Sequence, residues 1–374
     1  MASDRKDRVD IFAVALRAGV SIATVSRAMN QVPSVNPKLA TRVLKAARDL
    51  HYMPNTQARA LVSGRSRLLG LIISEITNPF FPELLQSFQE DAVSRGYEVL
   101  IGSTNYSAQD MMRCVRRMVE RKVEGVAVMT FGMDEELLHE LTQRNIPVVS
   151  VGPTRNVPLA CSLEVDYRQG IQEAVQHLAV MGHRDIAFIS GPLRLCAASL
   201  RQKAFIASMA KIGVKVTANH LVEGDHTMEG GFAAAERLFG RGRLPTAILC
   251  SNDMTAIGLL HSVSGRNLRV PEDISIIGFD DIHMAQFTVP PLTSVRMASS
   301  DLAAAALDAL PLRPLQKGTA SVARPTMVPT RLIVRQTSGY ARQSLPAEPV
   351  AIKTAAIRTT APPERKSSRL GRMH

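Results

Sequence analysis

Ala18-Gly19-Val20-Ser21-Ile22-Ala23-Thr24-Val25-Ser26-Arg27-Ala28-Met29-Asn30 decides how the rest of this chain is read. A short helical run, Ile11 to Arg17, precedes it. Gly19 then breaks the pattern, and Ser21 offers a side-chain oxygen to cap a second helix. On that helix Val25 and Met29 stand four apart and share one face with Val20, which makes that face the inward one. Ala23 and Arg27 lie on another face, with Ile22 at its N-terminal edge. A helix-turn-helix needs this division, because one face anchors while the other enters the DNA major groove. Arg27 suits a bidentate contact to guanine, and Ile22 and Ala23 suit thymine methyls. An ordinary amphipathic helix pair is the plainer reading of the same residues.

Charge separates the chain into parts. Residues 1–66 hold 11 Lys/Arg against 4 Asp/Glu, and residues 340–374 hold 7 against 2, out of a formal net charge of +12. The middle is therefore neutral. Basic ends on a neutral body point to a polyanion partner for the ends and to another role for the body. Cys114, Cys161, Cys196 and Cys250 are widely spaced with no Cys-x-x-Cys, which excludes zinc and redox motifs and fits free thiols in a reducing cytosol. No apolar run has the length of a membrane span. Ile11 to Val20 fails as a signal core because Arg17 interrupts it and acidic residues precede it. No metal site or cofactor is expected.

Outward from the opening stretch, Asn36 caps a third helix that begins with Pro37 and runs to about His51. Its Leu39, Val43, Ala46, Ala47 and Leu50 recur at helical spacing and close a small three-helix core. Residues 1–9 read as polar and disordered. Pro54-Asn55 opens a run from Thr56 to Val62 that is too short to be a stable helix alone. From Arg67 the rhythm becomes strand, helix, strand. Strands are expected at Leu68–Ile73, Tyr97–Ile101, Gly125–Met129 and Pro147–Val151. A second set follows at Asp185–Ser190, Thr246–Cys250 and Ile274–Gly278, with helices between. Alternation of this kind gives parallel, doubly wound sheets, and two sets give two lobes with a cleft. Residues 340–374 carry no heptad and read as a basic disordered tail.

AGVSIATVSRAMN at 18–30 resembles the recognition element of the LacI/GalR family of bacterial transcription regulators. PNTQARALVSGRS at 54–66, LLGLIISEITNPFFPEL at 68–84, GHRDIAFISGP at 182–192, PTAILCSNDMTAIG at 245–258 and VPEDISIIGFDDI at 270–282 match the same family in order. The resemblance implies an N-terminal all-α helix-turn-helix head, three helices plus a hinge helix, joined to an α/β two-lobed core like a periplasmic binding protein. The expected boundaries are 1–53 for the head, 54–66 for the hinge, 67–339 for the core and 340–374 for the tail. Lobe 1 is expected at about 67–163 and 293–325, and lobe 2 at about 164–292 and 326–339.

Through the resemblance, Ser21, Ile22, Ala23, Thr24, Arg27 and Asn30 would face DNA in the major groove. Asn55, Arg59 and Leu61 of the hinge would also contact DNA: Leu61 wedges between base steps of the minor groove when two copies pair, and Arg59 lies nearby along the backbone or groove. A homodimer reading a palindromic operator is thus expected. The effector cleft would hold Phe80, Phe81, Asp166, Arg201, His226, Asn252 and Asp280. Four of them have a plainer role: Phe81 as core, Asp280 and Asn252 as helix caps, His226 as an exposed loop residue. Carboxylates, an amide and an arginine around a stacking ring suit a polyhydroxylated ligand, so a carbohydrate effector is expected. The stretch LRLCAASL at 193–200 lacks the polar residues with which purine-binding relatives hold a base. Two departures stand out: Ala204 replaces the family's glycine, and Ala13 replaces an acid at the start of the first helix. The alternatives are a solute-binding protein without DNA-directed regulation, or a regulator answering a nucleobase or a protein corepressor. An enzyme is not expected, since no Gly-x-x-x-x-Gly-Lys-Ser/Thr or Gly-x-Gly-x-x-Gly occurs.

Overall fold

A computed structural model describes residues 9–30, 32–53, 65–130, 135–152, 159–242, 244–312 and 326–342. The head consists of α1 (Ile11–Ala18), α2 (Ile22–Met29) and α3 (Pro37–Asp49). Asp10 caps α1 by accepting from the Ala13 amide, which supplies at the cap the negative charge that Ala13 itself lacks. Ser21 caps α2 through the Thr24 amide, and Asn36 caps α3 through Lys38 with Pro37 in the first turn. Gly19 takes φ +59°, a left-handed turn that glycine adopts without steric cost, and α1 and α2 meet there at a bend of 100°. Arg42 on α3 donates to the Gly19 carbonyl at 3.0 Å and ties the turn down. Val14, Val25 and Val43 are wholly buried between the three helices.

The core begins with β1 (Leu68–Ile73), whose run LLGLII is buried along nearly its whole length because helices cover both faces of a parallel sheet. It continues through α4 (Phe80–Ser94), β2 (Glu98–Ser103), α5 (Ala108–Glu120), β3 (Gly125–Met129), α6 (Glu135–Gln143), β4 (Val148–Val151) and β5 (Ala160–Val165). The chain then enters the second lobe with α7 (Tyr167–Val180), β6 (Ile186–Ser190), α8 (Cys196–Lys211), β7 (Leu221–Glu223), α9 (Met228–Phe239), β8 (Ala247–Cys250), α10 (Asp253–Ser264), β9 (Ser275–Asp280) and β10 (Thr293–Arg296). Last come α11 (Ser299–Ala309), β11 (Thr326–Val328) and β12 (Arg331–Ile333).

Two six-stranded sheets result, ordered β11-β5-β4-β3-β1-β2 and β12-β10-β9-β8-β6-β7. All pairings are parallel except β10 with β12. In each sheet the order reverses beside the first strand, at β1/β3 and at β6/β8. Ligands of open α/β sheets bind at such switch points, off the strand C-termini.

The lobe boundaries expected from sequence need correction. Thr293–Arg296 lies in the second sheet, hydrogen-bonded between β9 and β12, so residues from 293 do not yet belong to lobe 1. Thr326–Val328 pairs with β5 in the first sheet, so lobe 2 does not resume at 326. The chain crosses near Met297 and back at Pro329-Thr330. Thr293 and Ser294 are fully buried polar residues in a four-residue strand, which presents no apolar run to read. The helix Ser299–Ala309 and the strand Ala160–Val165 were likewise not expected.

The crossing is stitched by one hydroxyl. Thr330 is wholly buried; its Oγ1 donates to the Asp166 carbonyl at 2.6 Å and accepts from the Gly170 amide at 3.0 Å. Buried apolar side chains run without a break from the first sheet through Tyr167 into the second.

Candidate DNA-reading face and effector cleft

On the head, Ser21, Ile22, Ala23, Arg27 and Asn30 are exposed, and Thr24 is half-buried. Ile22 is an apolar side chain left 38 % exposed at the start of a helix whose opposite face holds the core. The Arg27 side chain makes no hydrogen bond or ion pair among the described residues. The face expected to read bases is therefore presented to solvent, with the Ser21 and Thr24 hydroxyls bonded to each other at 2.9 Å. Asn55, Arg59 and Leu61 lie outside the described residues.

In the core, Phe80, Phe81, Arg201, His226, Asn252 and Asp280 line one pocket between the strand C-termini of the two lobes, with a free volume of about 60 Å³. Asp166 does not line it. That carboxylate accepts from the Arg168 and Gln169 amides and caps α7 at the crossing instead. Phe80 and Phe81 meet edge to face at 5.4 Å. Asn78 turns the chain into their helix by accepting from the Phe80 amide at 3.1 Å.

Arg201 organises the second lobe's wall. It is 5 % exposed, stacks with its guanidinium carbon 3.9 Å from the Phe279 ring centre and 5.0 Å from that of Tyr167, and donates to the Ser251 carbonyl. Its Nη2 donates to Asp280 Oδ1 at 3.2 Å. Burial pushes the Asp280 carboxyl up to about 6, and Arg201 holds it from rising further. Burial drives the His226 imidazole down to about 3, with the nearby Arg201 adding to the fall, so the ring is neutral. His226 Nε2 shares a hydrogen bond with Ser251 Oγ at 3.0 Å, and the His226 carbonyl accepts from Asn252 Nδ2 at 2.9 Å. Asn252 also caps α10 through the Thr255 amide, so its capping role is real.

Three residues of the pocket carry left-handed backbone. Tyr106, His226 and Asp280, all lining the pocket, take φ of +57°, +71° and +103°. Left-handed non-glycine residues cost on the order of 1–3 kcal/mol each and persist where surrounding structure holds them. Asp281, next to Asp280, is held by Arg296 at 2.6 Å and Arg335 at 2.7 Å. Among the described residues, one hydrogen bond spans the cleft rim, from the His283 amide in lobe 2 to Glu83 Oε1 on α4 at 2.8 Å.

Sequence reasoning missed several residues here. Tyr106 donates to Glu75 at 3.1 Å and lies in a loop without a motif. Gly191 is required because a Cβ there would stand 1.9 Å from His226 Nε2. Asp253 is fully buried, accepts from Ser294 Oγ at 2.6 Å and from the Ile282 amide at 2.9 Å, and is pushed well above the carboxylate range by burial. Ser251, Asp253 and Phe279 did stand inside quoted motifs, beside the residues that were singled out.

The N-terminal region matches the description of bacterial regulatory proteins of the lacI family over residues 11–55, and residues 175–338 match a periplasmic binding protein-like domain. The chain is 34 % identical over 303 residues to catabolite control protein A of Priestia megaterium, covering 80 % of this chain and 90 % of that protein. The chain belongs to the lacI family of bacterial regulators. It is also 32 % identical to the HTH-type transcriptional repressor CytR of Escherichia coli K12, covering 75 % of this chain and 83 % of that repressor. Among solved structures, the lac repressor dimer bound to operator and the anti-inducer ONPF superposes with a TM-score of 0.78 at 27 % identity, covering 89 % of this chain and all of that one. The CelR–cellobiose complex superposes with a TM-score of 0.63 at 26 % identity, covering 88 % and 100 %.

As a lacI-family member this chain is a DNA-binding transcriptional regulator, with a helix-turn-helix head and a two-lobed α/β core, and not an enzyme. Among the described residues no single helix is long and apolar enough to cross a membrane.

Proposed function

We propose that this chain acts in the cytoplasm as a homodimeric repressor of a palindromic operator, and that a small effector in the interlobe pocket sets its operator affinity. The observation that carries this reading is the pairing, in one chain, of a solvent-presented recognition face around Arg27 with a strained, buried pocket at the facing ends of two sheets. Two sites and two lobe arrangements are what allostery requires. Effector binding shifts one lobe against the other about the crossings at Tyr167, Met297 and Thr330. Asn55, Arg59 and Leu61 would complete the DNA contact in the minor groove. The carbohydrate expected from sequence is supported by Arg201 and Asp280 beside two phenyl rings and by the cellobiose complex of a structural neighbour. The apolar remainder of the lining weighs against it.

The test is selection of bound sequences from a random pool. Wild type should select a palindrome, and Arg27→Ala should relax one base pair per half-site at a cost of about 1–3 kcal/mol. Equal affinity for an isolated half-site and for the full palindrome sinks the dimeric reading. Binding that ignores sequence altogether would favour a solute-binding protein without DNA-directed regulation.

A further inference from the structure

Three chain crossings join the two lobes, and most hydrogen bonds between them lie there. Among the described residues these run from the Asp166 amide to the Val328 carbonyl, from the Met297 amide to the Asp280 carbonyl, and from Thr330 Oγ1 to the Asp166 carbonyl. The exception is the bond across the cleft rim, from the His283 amide to Glu83 Oε1. Local structure explains why that amide reaches over. His283 opens a short 3-10 helix, His283–Phe287, and an amide at such a start has no acceptor within its own turn. The two amides before it are satisfied inside lobe 2, Asp281 by Ser294 Oγ at 3.1 Å and Ile282 by Asp253 Oδ2 at 2.9 Å. His283 is the next donor in line, and its acceptor belongs to the other lobe. Glu83 reaches out from a fixed base in the first turn of α4. Its amide donates to the Pro79 carbonyl at 3.2 Å, and Ser87 Oγ donates to its carbonyl at 3.1 Å.

We infer that Glu83 is a latch between the lobes, a positioning residue that sets how far the cleft is closed without touching the effector. This rests on the proposed link between lobe movement and operator affinity, and it names a residue that controls the movement. Glu83 does not line the pocket, so its removal leaves the pocket wall as it is. It is nonetheless close by: after burial and against the pull of Arg201, the charge of Glu83 helps to raise the Asp280 carboxyl. An ionised acceptor makes the stronger kind of hydrogen bond, yet His283 is exposed and Glu83 only half-buried, so water competes for both. A bond of this kind biases two lobe arrangements by about tenfold or less, which is enough to regulate and weak enough to release. Releasing it requires no rearrangement inside either lobe, because each partner's backbone is held by its own neighbours.

Hydrogen exchange of the His283 amide in the full chain tests this, with the Ile282 amide as internal control because its acceptor lies within lobe 2. In wild type the His283 amide should exchange about tenfold or more below the free-peptide rate. Glu83→Ala should speed it about fivefold or more and leave Ile282 within about twofold of wild type. Glu83→Gln keeps a carbonyl oxygen and should restore most of the protection. Exchange of His283 at the free-peptide rate in wild type overturns the latch, as does Glu83→Ala leaving that rate unchanged. So does equal acceleration of Ile282, which would report a general loosening of lobe 2. Operator affinity is read on the same proteins with no effector added, and Glu83→Ala should change it about threefold or more. A His283 amide released while operator affinity stays the same keeps the latch and removes the link from lobe closure to DNA.

Discussion

The lobe 1 side of the cleft and the lobe 2 side are built from equivalent strand ends of two similar sheets, yet they are held in place differently. Phe80, Phe81, Met129 and Val151 are placed by packing within the apolar core. Arg201, Asp280, His226 and Asn252 are placed by hydrogen bonds to one another and to Ser251, with His226 and Asp280 at positive φ. Packing tolerates substitution by degrees. A buried hydrogen-bonded network does not, because losing one member strands another in a medium of low dielectric. Lobe 2 should therefore be the brittle wall and lobe 1 the forgiving one, and four measurements probe that difference.

The largest effect belongs to Asp280→Ala. It leaves the Arg201 guanidinium buried and unneutralised, and guanidinium cannot shed its proton, so stability should fall by about 3–5 kcal/mol. Arg201→Ala should cost less, since the Asp280 carboxyl can discharge by taking a proton. Urea unfolding of both variants tests this, and equal costs would mean that the pair is not coupled as its geometry indicates.

Next comes pH. Asp280 sits at about 6 in the folded protein, above the ordinary value of about 3.9. The folded state thus binds this proton more tightly, so its contribution to stability falls as pH rises from about 4 to about 6 and stays lost above that. His226, lowered to about 3, works oppositely: its stability is present above about 6.5 and is lost as pH falls. The difference between wild type and Asp280→Asn isolates the contribution of Asp280. Wild type should lose about 2–3 kcal/mol relative to the variant between pH 4 and pH 6. A difference that grows in wild type's favour would break the account.

Thr330→Val acts where the two walls join. It keeps the shape but leaves the Asp166 carbonyl and the Gly170 amide without their partner, at a cost of about 1–3 kcal/mol. Melting by calorimetry should show the loss; an unchanged transition would mean that water or a backbone shift replaces the hydroxyl.

The smallest effect is expected from Phe81→Ala on the forgiving wall, about 1 kcal/mol, because the ring is only half-buried. A cost approaching that of Asp280→Ala in the same urea experiment would erase the distinction between the walls.

Much of the head was legible in the chain alone. The Asp10 cap is not marked in the sequence, whereas the caps at Ser21 and Asn36, the turn at Gly19 and the helix start at Pro37 stand where their residue types place them, and the buried face of α3 follows its helical spacing. In the core the buried runs at 68–73, 125–129, 186–190 and 247–250 stand close to where apolar patterning placed them. Of the seven effector candidates, six share the pocket, while Asp166 caps α7 at the crossing. Tyr106 escaped notice because nothing local marks a loop tyrosine that the fold will turn toward the cleft.

Sequence by itself determined the three head helices, most of the buried strands and the strand–helix alternation, since caps, breakers and apolar periods act over four or five residues and need no distant partner. Tertiary structure alone decided which sheet receives β10 and β11, because strands of three or four residues without an apolar run carry no preference until their neighbours bury them. It also decided that Arg201 and Asp280, 79 residues apart, share a burial site, and hence that the carboxyl sits near 6. Desolvation and charge pairing depend on what closes around a group in space, and that information is written across the whole chain and not beside the residue.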